Sequence, residues 1–131
     1  MSHKPSKAYY VEGVHRFWID EGYVVCRIEC SDYYARQAQN FCGGCKEMDF
    51  LLYHPERRDL WLIEVKDYRA HARTKVVDLA DEVAIKVRDT LAGLVAASMN
   101  ANDPDERAFA SKMVRAQTMR VVCHLEQPAK T

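Results

Sequence analysis

Apolar and polar residues alternate most clearly between Tyr23 and Cys30, where Val24, Cys26 and Ile28 interleave with Tyr23, Arg27 and Glu29. That period of two predicts a strand with one buried face. "MDFLLYH" at 48–54 and the run Leu60–Val65 predict two more strands. Between them, His54-Pro55-Glu56-Arg57-Arg58-Asp59 combines a proline, which presets a turn dihedral, with polar neighbours, so the two strands are expected to form an antiparallel hairpin. Residues 31–46 break the periodicity and contain Gly43-Gly44, which predicts a long loop.

Helical spacing occurs in three places. Tyr10, Val14, Phe17 and Trp18 predict an amphipathic first helix over residues 8–20, stopping near Gly22. Val76, Ala80, Val83, Val87, Leu91 and Leu94 line one side of a long helix ending near Asn100. Asp103-Pro104-Asp105-Glu106 places an N-cap, a first-turn proline and a third-position glutamate ahead of Phe109, Met113 and Ala116, a strong helix start. Thr118–Glu126 then reads as a final strand. The order is helix, three-strand meander, one or two helices, strand, and a helical crossover allows the last strand to lie parallel to its neighbour. An α/β single-sheet fold is expected over residues 1–131. The chain stops soon after the final strand, so helices that would follow it are expected to be missing or supplied by a partner.

A length of 131 residues with 48% hydrophobic content suits one domain with one core. Nineteen basic and nineteen acidic side chains cancel, so no global field draws the chain to a polyanion, and any such ligand must be gripped locally. No run approaches the roughly 18 to 20 apolar residues that span a bilayer, and the start MSHKPSK lacks an export signal's apolar segment. A cytoplasmic protein without a membrane partner is expected. Its five cysteines are then free thiols or metal ligands rather than a disulfide framework.

Within "LWLIEVKDYR" (60–69), alternation sets Leu60, Leu62, Glu64 and Lys66 on one face and Trp61, Ile63 and Val65 on the other. Asp49 shares a face with Leu51 and Tyr53 on the preceding strand, so the hairpin can bring its carboxylate to Glu64. Two like charges held together inside a protein call for a cation between them, and oxygen donors favour a hard dication, Mg2+ with Mn2+ as a substitute. Asp49, Glu64 and the Val65 carbonyl would hold it and leave positions for waters and a phosphate oxygen. Lys66 would position or help deprotonate the attacking water. A charged hairpin whose Glu64 and Lys66 merely pair at a sheet edge is the plainer alternative, but a marginal surface pair worth about 0 to 1 kcal/mol explains poorly why both sit in so apolar a strand.

Asp49, fourteen intervening residues and then Glu64-Val65-Lys66 resemble the D…ExK signature of the PD-(D/E)XK nuclease superfamily, and the element order is similar to that family's restriction-endonuclease-like αβββαβ core, a mixed central sheet flanked by helices. The resemblance implies a metal-dependent DNA endonuclease that hydrolyses phosphodiester bonds, with restriction, defence or repair as settings. It implies catalytic roles for Asp49, Glu64 and Lys66, the two acids binding metal. It also implies a further metal ligand on the first helix, for which Glu12 is the candidate, with Glu47 as a competitor two residues before Asp49. No proline precedes Asp49, a departure from the motif's full form.

Downstream, Lys66, Arg69, Arg73 and Lys75 form a local basic path with His71, and Tyr68 lies at its start. Tyr68, Arg69, Arg73 and Lys75 are the candidate nucleic-acid contacts, able to hold a phosphate backbone without reading sequence. Cys42 and Cys45 have the spacing of a zinc knuckle or redox dithiol. Cys26 and Cys30 of one extended strand would stand about 13 Å apart, too far to complete the site, so zinc there is not expected. His15, His54 and His124 share no spacing that marks a ligand set. The partners expected are DNA and a second copy of the chain or a larger complex. The alternative function is a non-catalytic nuclease-like or zinc-binding interaction module.

Overall fold

The computed structural model describes residues 9–27, 46–70, 72–74 and 78–127. Six strands and two helices are defined: β1 (Tyr9–Glu12), β2 (His15–Trp18), β3 (Val24–Cys26), β4 (Phe50–His54), β5 (Asp59–Asp67), α1 (Leu79–Asn100), α2 (Pro104–Val114) and β6 (Thr118–Glu126). β3 to β6 form one mixed sheet in that order; β3, β4 and β5 are successively antiparallel and β6 runs parallel to β5. The fold is α/β, with the antiparallel meander and the turn at 55–58 that the residue pattern predicts and the parallel final strand that it allows; of the strand expected over Tyr23–Cys30, β3 covers Val24–Cys26, and residues 28–30 with 31–45 of the loop expected over 31–46 lie outside the described residues. Among the described residues no helix is long and apolar enough to cross a membrane.

The amphipathic first helix expected over 8–20 is instead a β-hairpin, β1 paired antiparallel with β2. Glu12 pairs with His15, leaving a two-residue loop whose first member, Gly13, has φ +60°. A glycine in that position is the turn that follows the twist of a hairpin. Tyr10 and Phe17 lie seven residues apart, which a helix also places on one side, but here they are direct cross-strand partners. Both rings stack on Phe50, at centroid distances of 4.6 and 5.3 Å. Tyr9, Val11 and Trp18 point outward. Aromatic and β-branched residues favour this pleated arrangement once a sheet face is available to receive alternate side chains.

The main sheet is therefore covered differently on its two sides. On one face Leu51, Tyr53, Leu60 and Leu62 pack against Leu94 and Ala97 of α1 and Ala110 and Met113 of α2, with Val83, Val87 and Leu91 at the margin. On the other, Phe50 meets the hairpin. Helix α1 begins at Leu79 because Asp78 caps it, accepting from the Ala80 amide. Val76, expected as the first residue of its apolar stripe, lies outside the described residues. Asp103 caps α2, accepting from the Asp105 amide at 2.8 Å, with Pro104 at the first position.

At the start of β5, buried Asp59 locks the parallel pairing in place. Its carboxylate accepts from Thr118 Oγ1 at 2.7 Å, Tyr23 Oη at 2.5 Å and Trp61 Nε1 at 2.9 Å. These donors, Thr118 foremost, lower its pKa from 3.8 to about 2. Because the folded value lies below the unfolded one, the stabilisation is complete above about pH 4 and is lost as pH falls through 2. Asp59→Asn should therefore remove about 2 kcal/mol of acid dependence, seen as a flatter acid limb in urea unfolding midpoints measured between those pH values.

Candidate active site

Where β4 begins and β5 runs on past it, the two strands stop pairing side by side and the charged residues of the motif meet. Phe50 is opposite Ile63, so Asp49 and Glu64 are the next residues along. Asp49 Oδ2 accepts from the Val65 amide at 2.7 Å, and the Asp49 amide donates to Glu64 Oε1 at 3.2 Å. The Asp49 carboxylate thus takes the ladder position that a backbone carbonyl would have filled. A residue's N–H and C=O leave a strand on the same edge, so the Val65 carbonyl also points toward the gap beside Asp49.

Glu64 is 1% exposed, and an unpaired carboxylate there would be untenable. Two ammonium groups compensate it. Lys66 Nζ lies 3.2 Å from Glu64 Oε2, and Lys86 of α1 donates to the same oxygen. Lys66 also donates to Glu82 Oε1 at 2.8 Å, and Arg73 pairs with Glu82 Oε2 at 2.6 Å. Burial pushes the Glu64 pKa up, the Lys86 bond opposes this, and the charge of Asp49 adds to the rise. Burial works against the charged form of Lys66, but the bonds to Glu82 and Glu64 outweigh it and leave its pKa raised. Lys66 is therefore held as a cation in this arrangement, which suits it to positioning an anion or a water rather than to accepting a proton.

Helix α1 contributes residues that strand periodicity does not reveal. Glu82, Lys86 and Thr90 follow one another at four-residue steps along the side of α1 facing the site, with Asp89 next to Thr90, beside the apolar stripe. That i, i+4 sequence of charges beside the stripe was the available signal. Thr90 Oγ1 accepts from the Met48 amide at 2.8 Å and Asp89 Oδ2 from the Lys46 amide at 3.0 Å, so the segment leading into Asp49 is tied to the helix. Thr90 is 1% exposed, and Thr90→Val keeps its shape while leaving the Met48 N–H unsatisfied. A loss of about 1 to 3 kcal/mol in chemical denaturation is expected.

The remaining candidates divide. Tyr68 and Arg73 stay near the motif: Arg73 Nη1 donates to Tyr68 Oη at 2.9 Å, and both line a groove of about 280 Å³ together with Val65 and Lys66. Arg69 turns away onto Asp67, with Nη2 2.7 Å from Oδ2. Lys75, His71, Cys30, Cys42 and Cys45 lie outside the described residues. Glu12, expected on a helix, is on β1 instead, 3.8 Å from Arg27 Nη2, and approaches the sheet from the Phe50 side rather than the helical side that Glu64 faces. Glu47 is half-buried in the segment before β4. A wider hollow of about 690 Å³ beside the His54–Arg57 turn is at the far end of the hairpin and includes none of the acid–lysine group.

No family model matches the chain, and no solved structure matches it. Over 95 aligned residues, 66% of this chain, it is 34% identical to a cysteine-tRNA ligase of Neisseria meningitidis. The chain spans about 13% of the length of that protein. The similarity thus concerns a small portion of the ligase.

Oxygen donors of this kind fit a hard dication. Asp49 Oδ2 is used by the Val65 amide, which leaves Oδ1 for a ligand, whereas Glu64 has the Asp49 amide on Oε1 and Lys66 and Lys86 on Oε2, so a cation bound by both acids would take the place of an ammonium group on Glu64.

Proposed function

We propose that the chain is a metal-dependent phosphodiesterase of the PD-(D/E)XK type acting on nucleic acid, with DNA as the first substrate to test. The observation that carries this reading is the junction of Asp49 and Glu64, locked by the Val65 and Asp49 amides beside the Lys66 ammonium. The sheet order, an antiparallel meander followed by a helical crossover to a parallel strand, is compatible with a restriction-endonuclease-like core. The β1–β2 hairpin in place of the first helix is a departure from it.

Asp49, Glu64 and the Val65 carbonyl would hold Mg2+ or Mn2+. Bound there, such an ion lowers the pKa of a water and screens the negative charge of a scissile phosphate. The protein's own groups do the rest. Lys66 places a positive charge at the mouth of the groove, where it orients an attacking water or a phosphate oxygen. Glu82 holds Lys66 in position, and Arg73, fixed by Glu82 and Tyr68, adds a second cation along the groove. Tyr68 presents a ring edge to a base or sugar. These contacts hold a backbone without selecting sequence, so a second copy or another subunit would supply selectivity and the second strand cut.

A non-catalytic module is the second reading. One observation favours it: Glu64 and Glu82 are already paired with Lys66, Lys86 and Arg73. Incubating plasmid DNA and a folded RNA with the protein and Mg2+ or Mn2+ separates the two readings. RNA belongs in the comparison because the similar bacterial enzyme is a tRNA ligase. Cleavage of either polymer that depends on added metal supports the phosphodiesterase, and intact substrates under every divalent ion overturn it.

A further inference from the structure

The two histidines that share no sequence spacing, His15 and His124, meet on the opposite side of the sheet. β6 pairs in register with β5, His124 against Val65 and Glu126 against Asp67, so these side chains share the face turned away from Glu64 and Lys66. The hairpin lies over that face and brings His15 down from β2. The rings of His15 and His124 are 5.4 Å apart, and Phe17 packs edge-on against His124 at 5.2 Å. His124 Nε2 is 3.1 Å from Glu126 Oε1, and one ligand atom from each of His15, His124 and Glu126 lies within 4.8 Å of the others.

We propose that His15, His124 and Glu126 form a binding site for a first-row transition-metal dication of the zinc class. Two imidazoles and a carboxylate suit zinc, nickel or cobalt, whereas magnesium prefers an all-oxygen shell such as the one at Asp49 and Glu64. Ligand atoms around a tetrahedral ion bonded at about 2.0 to 2.2 Å stand roughly 3.3 Å apart, so closing the site takes shifts of about 1 to 1.5 Å. The half-exposed side chains of His124 and Glu126, 38% and 37% accessible, can supply that by rotation. His15 is less free, at 12%, and is already oriented: its Nε2 lies 3.0 Å from Asp67 Oδ2. With Nε2 on Asp67, the proposed ligand atom of His15 is Nδ1, and a carboxylate on the other ring nitrogen is the usual support for a ligand histidine. Arg69 also holds Asp67, with Nε on Oδ1 at 3.0 Å and Nη2 at 2.7 Å on Oδ2, the oxygen that His15 contacts. Three protein ligands leave one position for water. The ion would tie the hairpin to the edge strand of the main sheet, across the sheet from Lys66. This second site stands whether or not Asp49 and Glu64 serve hydrolysis.

The test is a Co2+ titration of the full chain, reduced and in excess Mg2+ so that an oxygen-only site is saturated. One equivalent should bind, with visible ligand-field bands and no thiolate-to-cobalt charge-transfer band, and Zn2+ should displace it. His124→Ala and Glu126→Gln should each abolish uptake, and Asp67→Asn should weaken it about tenfold or more. Glu126→Gln is nearly isosteric and half-exposed, so it reports on ligation even where His124→Ala disturbs the hairpin; circular dichroism checks both. Absence of uptake by the unmodified chain, a thiolate band marking cysteine ligation, or undiminished uptake in Glu126→Gln would each overturn the site.

Discussion

Metal-dependent plasmid cleavage should fall by about a thousandfold or more in Asp49→Asn, and by about a hundred- to a thousandfold in Lys66→Met. The first figure follows from losing one of two anionic metal ligands, worth several kcal/mol in stabilising charge in the transition state, at 1.36 kcal/mol per tenfold in rate. Asparagine retains an oxygen to accept from the Val65 amide, so the strand junction survives while the charge is removed. The second follows from removing a single preorganised donor. Lys66→Met leaves Glu64 paired with Lys86 and Glu82 paired with Arg73, so neither buried carboxylate is abandoned. Both variants should unfold at urea concentrations close to the parent's. Initial rates at saturating Mg2+, on protein purified from each variant in parallel, give the comparison. Full activity in Asp49→Asn would show that the cleaving centre lies elsewhere or belongs to a contaminant.

The largest expected loss of stability comes from Phe50→Ala, about 3 to 5 kcal/mol. Phe50 is fully buried, and it is the surface on which Tyr10 and Phe17 both stack, so alanine opens a cavity and removes the hairpin's principal anchor together. Urea unfolding should show the loss directly. Hydrogen exchange should show where it falls: amides of β1 and β2 should lose protection well before those of β5, which keep their pairing to β4 and β6. Phe50→Leu refills most of the volume and should recover more than half of the loss. A cost below about 1 kcal/mol for Phe50→Ala would mean that the hairpin is held by something other than these rings.

β6 was legible residue for residue because Thr118–Glu126 follows a capped helix and a break, and α2 because Asp103-Pro104 satisfies specific backbone requirements at its start. The meeting of Asp49 and Glu64 was legible too, since the short turn at 55–58 leaves an antiparallel hairpin little choice of register. The first element was misread for a definite reason. Tyr10 and Phe17 occupy the same side of a helix and the same pair in a hairpin, and only the Phe50 face, forty and thirty-three positions away along the chain, chooses between them. The roles of Glu82 and Lys86 are set by how α1 docks over the sheet.

Residue order alone determined the strands from residue 23 onward, the two helices and the pairing of an aspartate with an ExK glutamate, because each rests on contacts within one element or across one tight turn. Tertiary packing decided the rest. It made the first segment a hairpin, put Lys86 and Glu82 around the buried charges, and brought His15 to His124. These outcomes depend on surfaces that exist only after the sheet has formed, and periodicity along the chain carries no record of the distance between two of its faces.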